Sequence, residues 1–251
     1  MSILAVLIAS YLLILLVLFI YGNNCLVLAY LYRKRKKEKP PVFSDYPMVT
    51  VQLPVYNELY VVERLIKKVA EMDYPKDKLE IQVLDDSTDE TTSVTEKCID
   101  ELRSRGYSAQ LLHRTRRDGY KAGALREGVV LAEGEFIAVF DADFLPDPNF
   151  LKRCMPYFSD PSVGMVQTRW GHINEDYSLL TRAVSIGIDG HFQIEQSTRY
   201  SAGLFLNFNG TAGVWRKQCI DDSGGWQSDT LTEDLDLSYR AHRRGRGRCA
   251  A

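Results

Sequence analysis

Paired cysteines are missing from this sequence. Its five, Cys25, Cys98, Cys154, Cys219 and Cys249, stand far apart with no Cys-x-x-Cys pair, and its four histidines, His113, His172, His191 and His242, show no ligand spacing. That pattern argues against a disulfide framework or a zinc site and fits free thiols in a reducing compartment. Positive charge is scarce as well. With the run Arg33–Lys39 and the five arginines from Arg240 onward set aside, residues 40–238 carry 20 basic against 32 acidic side chains. Nucleic acid demands clustered positive charge, so no nucleic-acid partner is expected. A phosphorylated ligand would be met in large part through metal ions. Internal repeats are absent, and so are low-complexity tracts before the arginine-rich end.

The first 32 residues contain no charged side chain, and Ile3 to Ile20 forms 18 nearly uninterrupted apolar positions. A membrane span needs about 20, so residues 1–32 are read as a transmembrane segment, tilted or ending near Gly22-Asn23-Asn24. A cleaved leader would show positive charge before the apolar run and a small-residue cleavage site after it, and neither is present. A basic linker, 33–47, follows instead. Its "RKRKKEK" invokes the positive-inside bias, which keeps that side, and with it the rest of the chain, in the cytosol.

Beyond the linker, strand and helix patterns alternate. "MVTVQLP", "LEIQVLDD", "AQLLHR" and "FIAVFDAD" read as strands, and "ELYVVERLIKKVAEM", "DETTSVTEKCIDELRSRG" and "KAGALREGVVLAEG" as helices, the last ending at Gly134. Such units imply an α/β fold with a mainly parallel sheet and helices on both faces. After residue 150 the alternation loosens: "VGMVQT" is a strand, "SLLTRAVSIGIDGHFQIEQSTRY" a long helix broken at Gly187 and Gly190, and "LFLNFNGTAGVWR" a strand, loop and strand.

Ligands of parallel α/β sheets bind beyond the carboxyl ends of the strands. Three polar clusters fall there: "PVYNE" after the first strand, Asp85-Asp86-Ser87 after the second, and Asp141-Ala142-Asp143 after the fourth. Two carboxylates two residues apart repel unless positive charge lies between them, and a hard divalent cation fits oxygen ligands of this kind. The same acids also suit turns and helix N-caps, and Glu58 suits a first-turn carboxylate. Arg114, Arg116, Arg117 and Lys121 flank a glycine turn that opens a helix, an arrangement suited to phosphate or to a solvated loop. Thr230 and Glu233 have the spacing of a capping box, while Glu233 or Asp234 alternatively serves as a general base.

Taken in order, "PVYNE", "DDST", "KAGAL", "DADFLP", "FNGTAG" and "TEDLDLSYR" resemble the family 2 glycosyltransferases, in particular the membrane-bound β-glycan synthases of the cellulose-synthase-like and mannan-synthase-like groups. The resemblance covers about residues 48–240. It implies a GT-A (Rossmann-like) nucleotide-diphospho-sugar transferase fold preceded by one N-terminal transmembrane helix. It also implies inverting transfer of a hexose from a nucleotide-diphospho-sugar donor, of UDP-glucose or GDP-mannose type, to a β-linked glycan acceptor. Matching motif positions assign Tyr56, Glu58 and Asp86 to the nucleoside, Lys121 to the diphosphate, and Asp141 with Asp143 to the donor and Mg2+ or Mn2+. Asp234 would be the base, and Phe208, Asn209, Gly210 and Thr211, with Glu233, would line the acceptor side. Family members continue past the Thr-Glu-Asp helix into a Gln-x-x-Arg-Trp motif and further membrane helices. The tail 241–251 departs from that pattern, and "QTRW", Gln167–Trp170, has one intervening residue too few. The resemblance therefore implies a C-terminally truncated transferase that binds nucleotide sugar but is impaired in polymer synthesis. A non-catalytic membrane-anchored binding module and a haloacid-dehalogenase-like phosphatase remain open alternatives.

Overall fold

The computed structural model describes residues 2–35, 46–245 and 248–250. Most of the basic linker lies outside the described residues. The chain divides into two compact units, Met1–Glu38 with Gly171–Leu204, and Lys39–Trp170 with Phe205–Ala251.

The larger unit begins with β1 (Val49–Val55), α2 (Val62–Ala70), β2 (Leu79–Asp85), α3 (Thr91–Ser104), β3 (Ser108–His113), α4 (Tyr120–Leu131) and β4 (Phe136–Val139), helix α1 (Ile3–Lys34) belonging to the smaller unit. It continues through α5 (Phe150–Cys154) and β5 (Val163–Gln167) and, after the residues of the smaller unit, β6 (Gly213–Arg216), α8 (Lys217–Asp222), α9 (Glu233–Arg243) and β7 (Arg248–Ala250). Seven strands among the described residues form one sheet in the order β3-β2-β1-β4-β6-β5-β7. The strands β1 to β4 pair in parallel, as the alternating pattern predicts, whereas β6 runs antiparallel to both β4 and β5.

Alternation in β1 (Val-Thr-Val-Gln-Leu) and β2 (Leu-Glu-Ile-Gln-Val) suggests one wet face, yet both faces are buried. The polar side chains satisfy one another. Gln52 Nε2 donates to Gln82 Oε1 at 3.0 Å. The buried Glu80 carboxylate accepts from the Thr50 hydroxyl, from the Gln82 and Gln110 amides, and from the Glu133 N–H at 2.9 Å. A buried acid with its lone pairs occupied avoids most of the desolvation penalty that an unpaired one would carry. The same face packs under α4. Leu84, Leu125, Val129, Ile137 and Val139 join Phe208, Trp215, Trp226 and Leu237 in one core cluster.

Three boundaries differ from the sequence reading. Helix α4 ends at Leu131 rather than Gly134, and Gly134 serves instead as a close approach, since a Cβ there would stand 2.4 Å from the Thr50 N. The segment before "NGTAG" forms no strand. Leu206 and Phe208 are buried in the core, while the Phe208 N–H donates to Ser238 Oγ and the Asn209 N–H to Gln167 Oε1, both at 2.9 Å, so side chains replace a ladder. The arginine-rich tail, finally, contains β7, which pairs in parallel with β5.

The smaller unit is built on α1 (Ile3–Lys34), one unbroken helix of 32 residues. At 1.5 Å per residue it is about 48 Å long, more than the roughly 30 Å of a hydrocarbon layer. Gly22-Asn23-Asn24 does not end it, because Asn23 turns its amide back onto the Phe19 carbonyl at 2.8 Å. Arg33 and Lys34 close the helix, where cations meet its negative dipole end. Next come α6 (Leu179–Asp189), a π-helical segment Gly190–Gln196 and α7 (Ser197–Ser201). The run is continuous through both glycines. Gly190 has an ordinary helical φ of -58°, and it marks the place where the ladder widens to π geometry. Within this unit, Arg35 Nη1 donates to the Gln193 carbonyl at 3.2 Å and to the Ser197 hydroxyl. In α6 the one buried side chain is Ser185, while Leu179, Leu180, Val184 and Ile186 are exposed.

Candidate functional site

Because β1, β2 and β4 are parallel, their carboxyl ends open on one edge, and the loops that leave them line a cleft of about 460 Å³. Tyr56, Glu58, Asp86, Lys121, Asp141 and Asp143, all singled out in the sequence, lie along it. Residues up to 89 apart in sequence are drawn together by direct bonds.

Strand β4 ends at Val139, so Asp141 and Asp143 are turn residues rather than strand residues, with the Phe144 N–H donating to the Asp141 carbonyl at 3.0 Å. The Asp141 backbone is fixed by its own N–H, which donates to Thr211 Oγ1 at 3.0 Å. Its carboxylate is paired with the Lys121 ammonium, which also donates to the Gly210 carbonyl at 2.9 Å. Gly210 adopts φ +80°, and a Cβ there would stand 3.3 Å from Asp234 Oδ2 and 3.6 Å from Lys121 Nζ. Only a residue without a side chain leaves that gap between ammonium and carboxylate open.

Burial raises the Asp141 pKa; Lys121 opposes the shift, and Asp143 and Asp234 add to it. The Glu233 carboxyl is likewise raised, first by burial and then by Asp234 and Asp141, against its backbone hydrogen bond and Lys121. More negative charge converges here than one lysine offsets. Two hard carboxylates at the cleft, Asp141 and Asp143, suit a Mg2+ or Mn2+ ion that takes its remaining oxygens from water and phosphate. Among the described residues no cluster of three or more His, Cys, Asp or Glu forms a cage made of protein alone.

The two acids of "DDST" separate. Asp85 is fully buried and turned inward, accepting from the Ser87 N–H at 3.0 Å and the Thr92 hydroxyl at 2.6 Å and meeting His113 Nδ1 at 2.8 Å. Asp86 faces the cleft, where Arg114 grips both its oxygens with Nε and Nη2 at 2.7 Å. Arg114, expected either near phosphate or in a solvated loop, is instead an internal tie, and it also reaches the carbonyls of Asp118 and Tyr120. Arg116 points to solvent. Arg117 lines the cleft, its guanidinium carbon 3.5 Å from the Tyr56 ring centroid.

Burial alone would raise the Asp85 pKa, but the bonds from Ser87, Thr92 and His113 together hold it below the ordinary 3.8. A depressed folded-state value contributes stability that is complete above the unfolded value and is lost as the pH falls through the folded one. Asp85→Asn is therefore expected to flatten the decline of Tm with acid below about pH 3.8, as read from thermal melts across that range. A decline as steep as that of the unsubstituted chain would contradict it.

The Thr230–Glu233 capping box does not form. Helix α9 takes Thr232 as its N-cap, with no side-chain cap bond. Two supports had no signal in the sequence. Gln167, named in "QTRW" only to set that motif aside, is 1% exposed and donates to the Thr211 and Ala212 carbonyls at 3.0 and 3.2 Å, which holds the "NGTAG" loop in place. Ser238, one turn after Asp234, receives the Phe208 N–H and returns its own hydroxyl to the Asp234 carbonyl at 2.6 Å.

Residues 47–251 match the sequence profile described as "Glycosyltransferase like family 2". A rice (Oryza sativa subsp. japonica) protein named "Probable glucomannan 4-beta-mannosyltransferase 7" is 45% identical over 207 residues, which is 80% of this chain and 35% of that relative. The Arabidopsis thaliana glucomannan 4-beta-mannosyltransferase 7 is 41% identical over 234 residues, 86% of this chain and 42% of the relative. The chain thus spans well under half the length of these relatives. Among solved structures, a mannosyltransferase from Pyrobaculum calidifontis in complex with GDP-mannose and Mn2+ superposes with a TM-score of 0.74 at 25% identity, over 92% of this chain and 62% of that one. A glucosyl-3-phosphoglycerate synthase from Mycobacterium tuberculosis, solved with Mn2+ and UDP, aligns with a TM-score of 0.51 at 18% identity over 81% and 68% of the two chains, and it speaks for the fold alone. The chain has a mixed α/β fold of GT-A type, its sheet parallel in β1 to β4 and antiparallel at β6.

Proposed function

Starting from a chain that belongs to glycosyltransferase family 2, we propose that it binds a nucleotide-diphospho-sugar in the cleft and serves inverting transfer of the sugar to a hydroxyl of a β-linked glycan. The names of its relatives favour mannose and a GDP donor. One observation carries the reading: Lys121 joins Asp141 to the Gly210 carbonyl, and the Asp234 carboxylate closes on the same glycine from the other side. Donor, metal and base residues thereby share one small space.

In this reading Tyr56, Glu58 and Asp86 hold the nucleoside. Asp141 and Asp143 hold a divalent cation, Mg2+ or Mn2+, which when bound neutralises charge on the departing diphosphate. Lys121 contributes a further positive charge to the diphosphate. Asp234 removes the proton of the acceptor hydroxyl as its oxygen bonds to the anomeric carbon and the bond from that carbon to the diphosphate breaks, so the configuration inverts. Phe208, Asn209, Gly210 and Thr211, with Glu233, form the acceptor side. Residues 48–240 are the transferase domain, 33–47 the linker and 241–251 the tail. Family membership sets the dehalogenase-like reading aside.

Membrane anchorage through residues 1–32 is part of the proposal, with the transferase domain on the cytosolic side. It is supported by the length of α1 and by the exposed Leu179, Leu180 and Ile186 of α6, an apolar face that water does not favour. Calorimetric titration of the detergent-solubilised chain with GDP or UDP is expected to show binding that requires Mn2+ or Mg2+ and disappears in Asp141→Asn. No heat with either nucleotide at millimolar concentration, metal present, would overturn the reading.

A further inference from the structure

Tyr56 and Glu58 sit in the loop after β1, and Asp86 in the loop after β2. The β1/β2 register ends at Val55 and Asp85, and a last backbone bond runs from the Asp86 N–H to the Val55 carbonyl at 2.9 Å; beyond it the positions of Tyr56 and Glu58 are set by other contacts. Asn57 lies between the two cleft residues of the first loop, yet it does not line the cleft and is exposed. Its backbone has φ +56°, in the left-handed region that asparagine tolerates better than most residues. From that conformation it bonds to the second loop at both of its ends. The Asn57 N–H donates to Ser87 Oγ at 2.9 Å, and Asn57 Oδ1 accepts the Thr88 N–H at 2.9 Å. Its Nδ2 also reaches Thr88 Oγ1 at 3.4 Å. Ser87 follows Asp86 directly and is held in turn by Asp85 Oδ1 at 3.0 Å.

We propose that Asn57 is a positioning residue of the donor site: by clamping Ser87 and Thr88 it fixes Tyr56 and Glu58 against Asp86. The proposal rests on the nucleotide-binding reading of the cleft. The side-chain bonds to Thr88 are solvent-exposed, and only the backbone bond to the buried Ser87 is part-buried, so the side-chain clamp adds little to global stability. Its consequence is geometric instead, because a small misplacement of binding groups costs far more in recognition than in folding.

Four proteins test it, each titrated with GDP and with UDP in the presence of Mn2+, and each melted separately. Asn57→Ala keeps the backbone N–H bond to Ser87 but loses both the side-chain clamp on Thr88 and the tolerance for positive φ. Asn57→Gly keeps that backbone freedom and the N–H bond to Ser87, and loses the side-chain clamp on Thr88 alone. Asn57→Asp keeps the Oδ1 acceptor and the tolerance. The expected result is nucleotide affinity lowered about tenfold in the Ala and Gly variants, affinity within about threefold of the unsubstituted chain in Asp, and a Tm that moves by no more than about 4 °C in any of them. Affinity retained in Gly would show that only backbone strain matters, and would overturn the clamp. So would affinity retained in Ala, a loss in Asp equal to that in Ala, or losses that track Tm. An unsubstituted chain that binds neither nucleotide would sink the reading of the cleft and the clamp with it, whereas an unsubstituted chain that binds alongside unaffected variants would sink the clamp alone.

Discussion

Asp234→Asn lowers sugar transfer by about 10²–10⁴-fold, the range that a positioned general base supplies, and leaves nucleotide affinity nearly unchanged. Asparagine keeps the shape of the side chain and its Oδ1, which accepts the Leu235 N–H at 2.7 Å, so helix α9 starts as before. What it loses is the capacity to take a proton. Asp234 does not line the cleft proposed for the donor, and its neighbour is the Gly210 gap, on the side proposed for the acceptor. The check is donor-dependent glycan formation by membranes carrying the protein, set beside nucleotide titration of the same variant. Equal losses of transfer and of nucleotide binding would place Asp234 in the donor site and remove it as the base. Unchanged transfer would remove it from the chemistry altogether.

The largest effect on stability is expected at Arg114. Its side chain is 9% exposed and that of Asp86 is 4% exposed, so the fork between them is buried. Arg114→Met leaves Asp86 with no cation within 3 Å, Arg117 being 3.8 Å away, and the backbone carbonyls of Asp118 and Tyr120 lose their donor. Removing one partner of a buried pair costs about 3–5 kcal/mol, which for a domain of this size lowers Tm by roughly 10 °C. Arg114→Lys keeps the charge but cannot reproduce two parallel bonds, and falls between the two. A Tm within about 2 °C of the unsubstituted chain in Arg114→Met would mean that Asp86 finds another partner at no cost.

How far the sequence could be read depended on the range of the interaction concerned. Residues 49–139 have local signals: apolar runs of strand length, helix-period spacing in Leu65, Ile66 and Val69, and turn chemistry between them. Their elements fell where expected to within a few residues. The "LFLNFNGTAG" segment misled because its apolar residues are buried, as a strand's would be, while its backbone bonds go to Gln167 and Ser238, both distant in sequence. Gly187 and Gly190 misled because glycine lowers helix propensity without forbidding a helix, and packing decides the outcome.

By itself the sequence determined that an uncharged apolar helix leads the chain, that alternating strands and helices build a largely parallel sheet, and that three polar clusters reach one edge of it. Each follows from interactions between near neighbours, and the ordered motifs placed the chain in its family. Only the tertiary structure decided that Asp86 and not Asp85 faces the cleft, that Arg114 is a tie and Arg117 a wall, and that Gln167 and Asn57 bond the loops. Adjacent acids such as Asp85 and Asp86 have the same local chemistry. What separates them is a set of hydrogen-bond partners that comes near only once the sheet has formed.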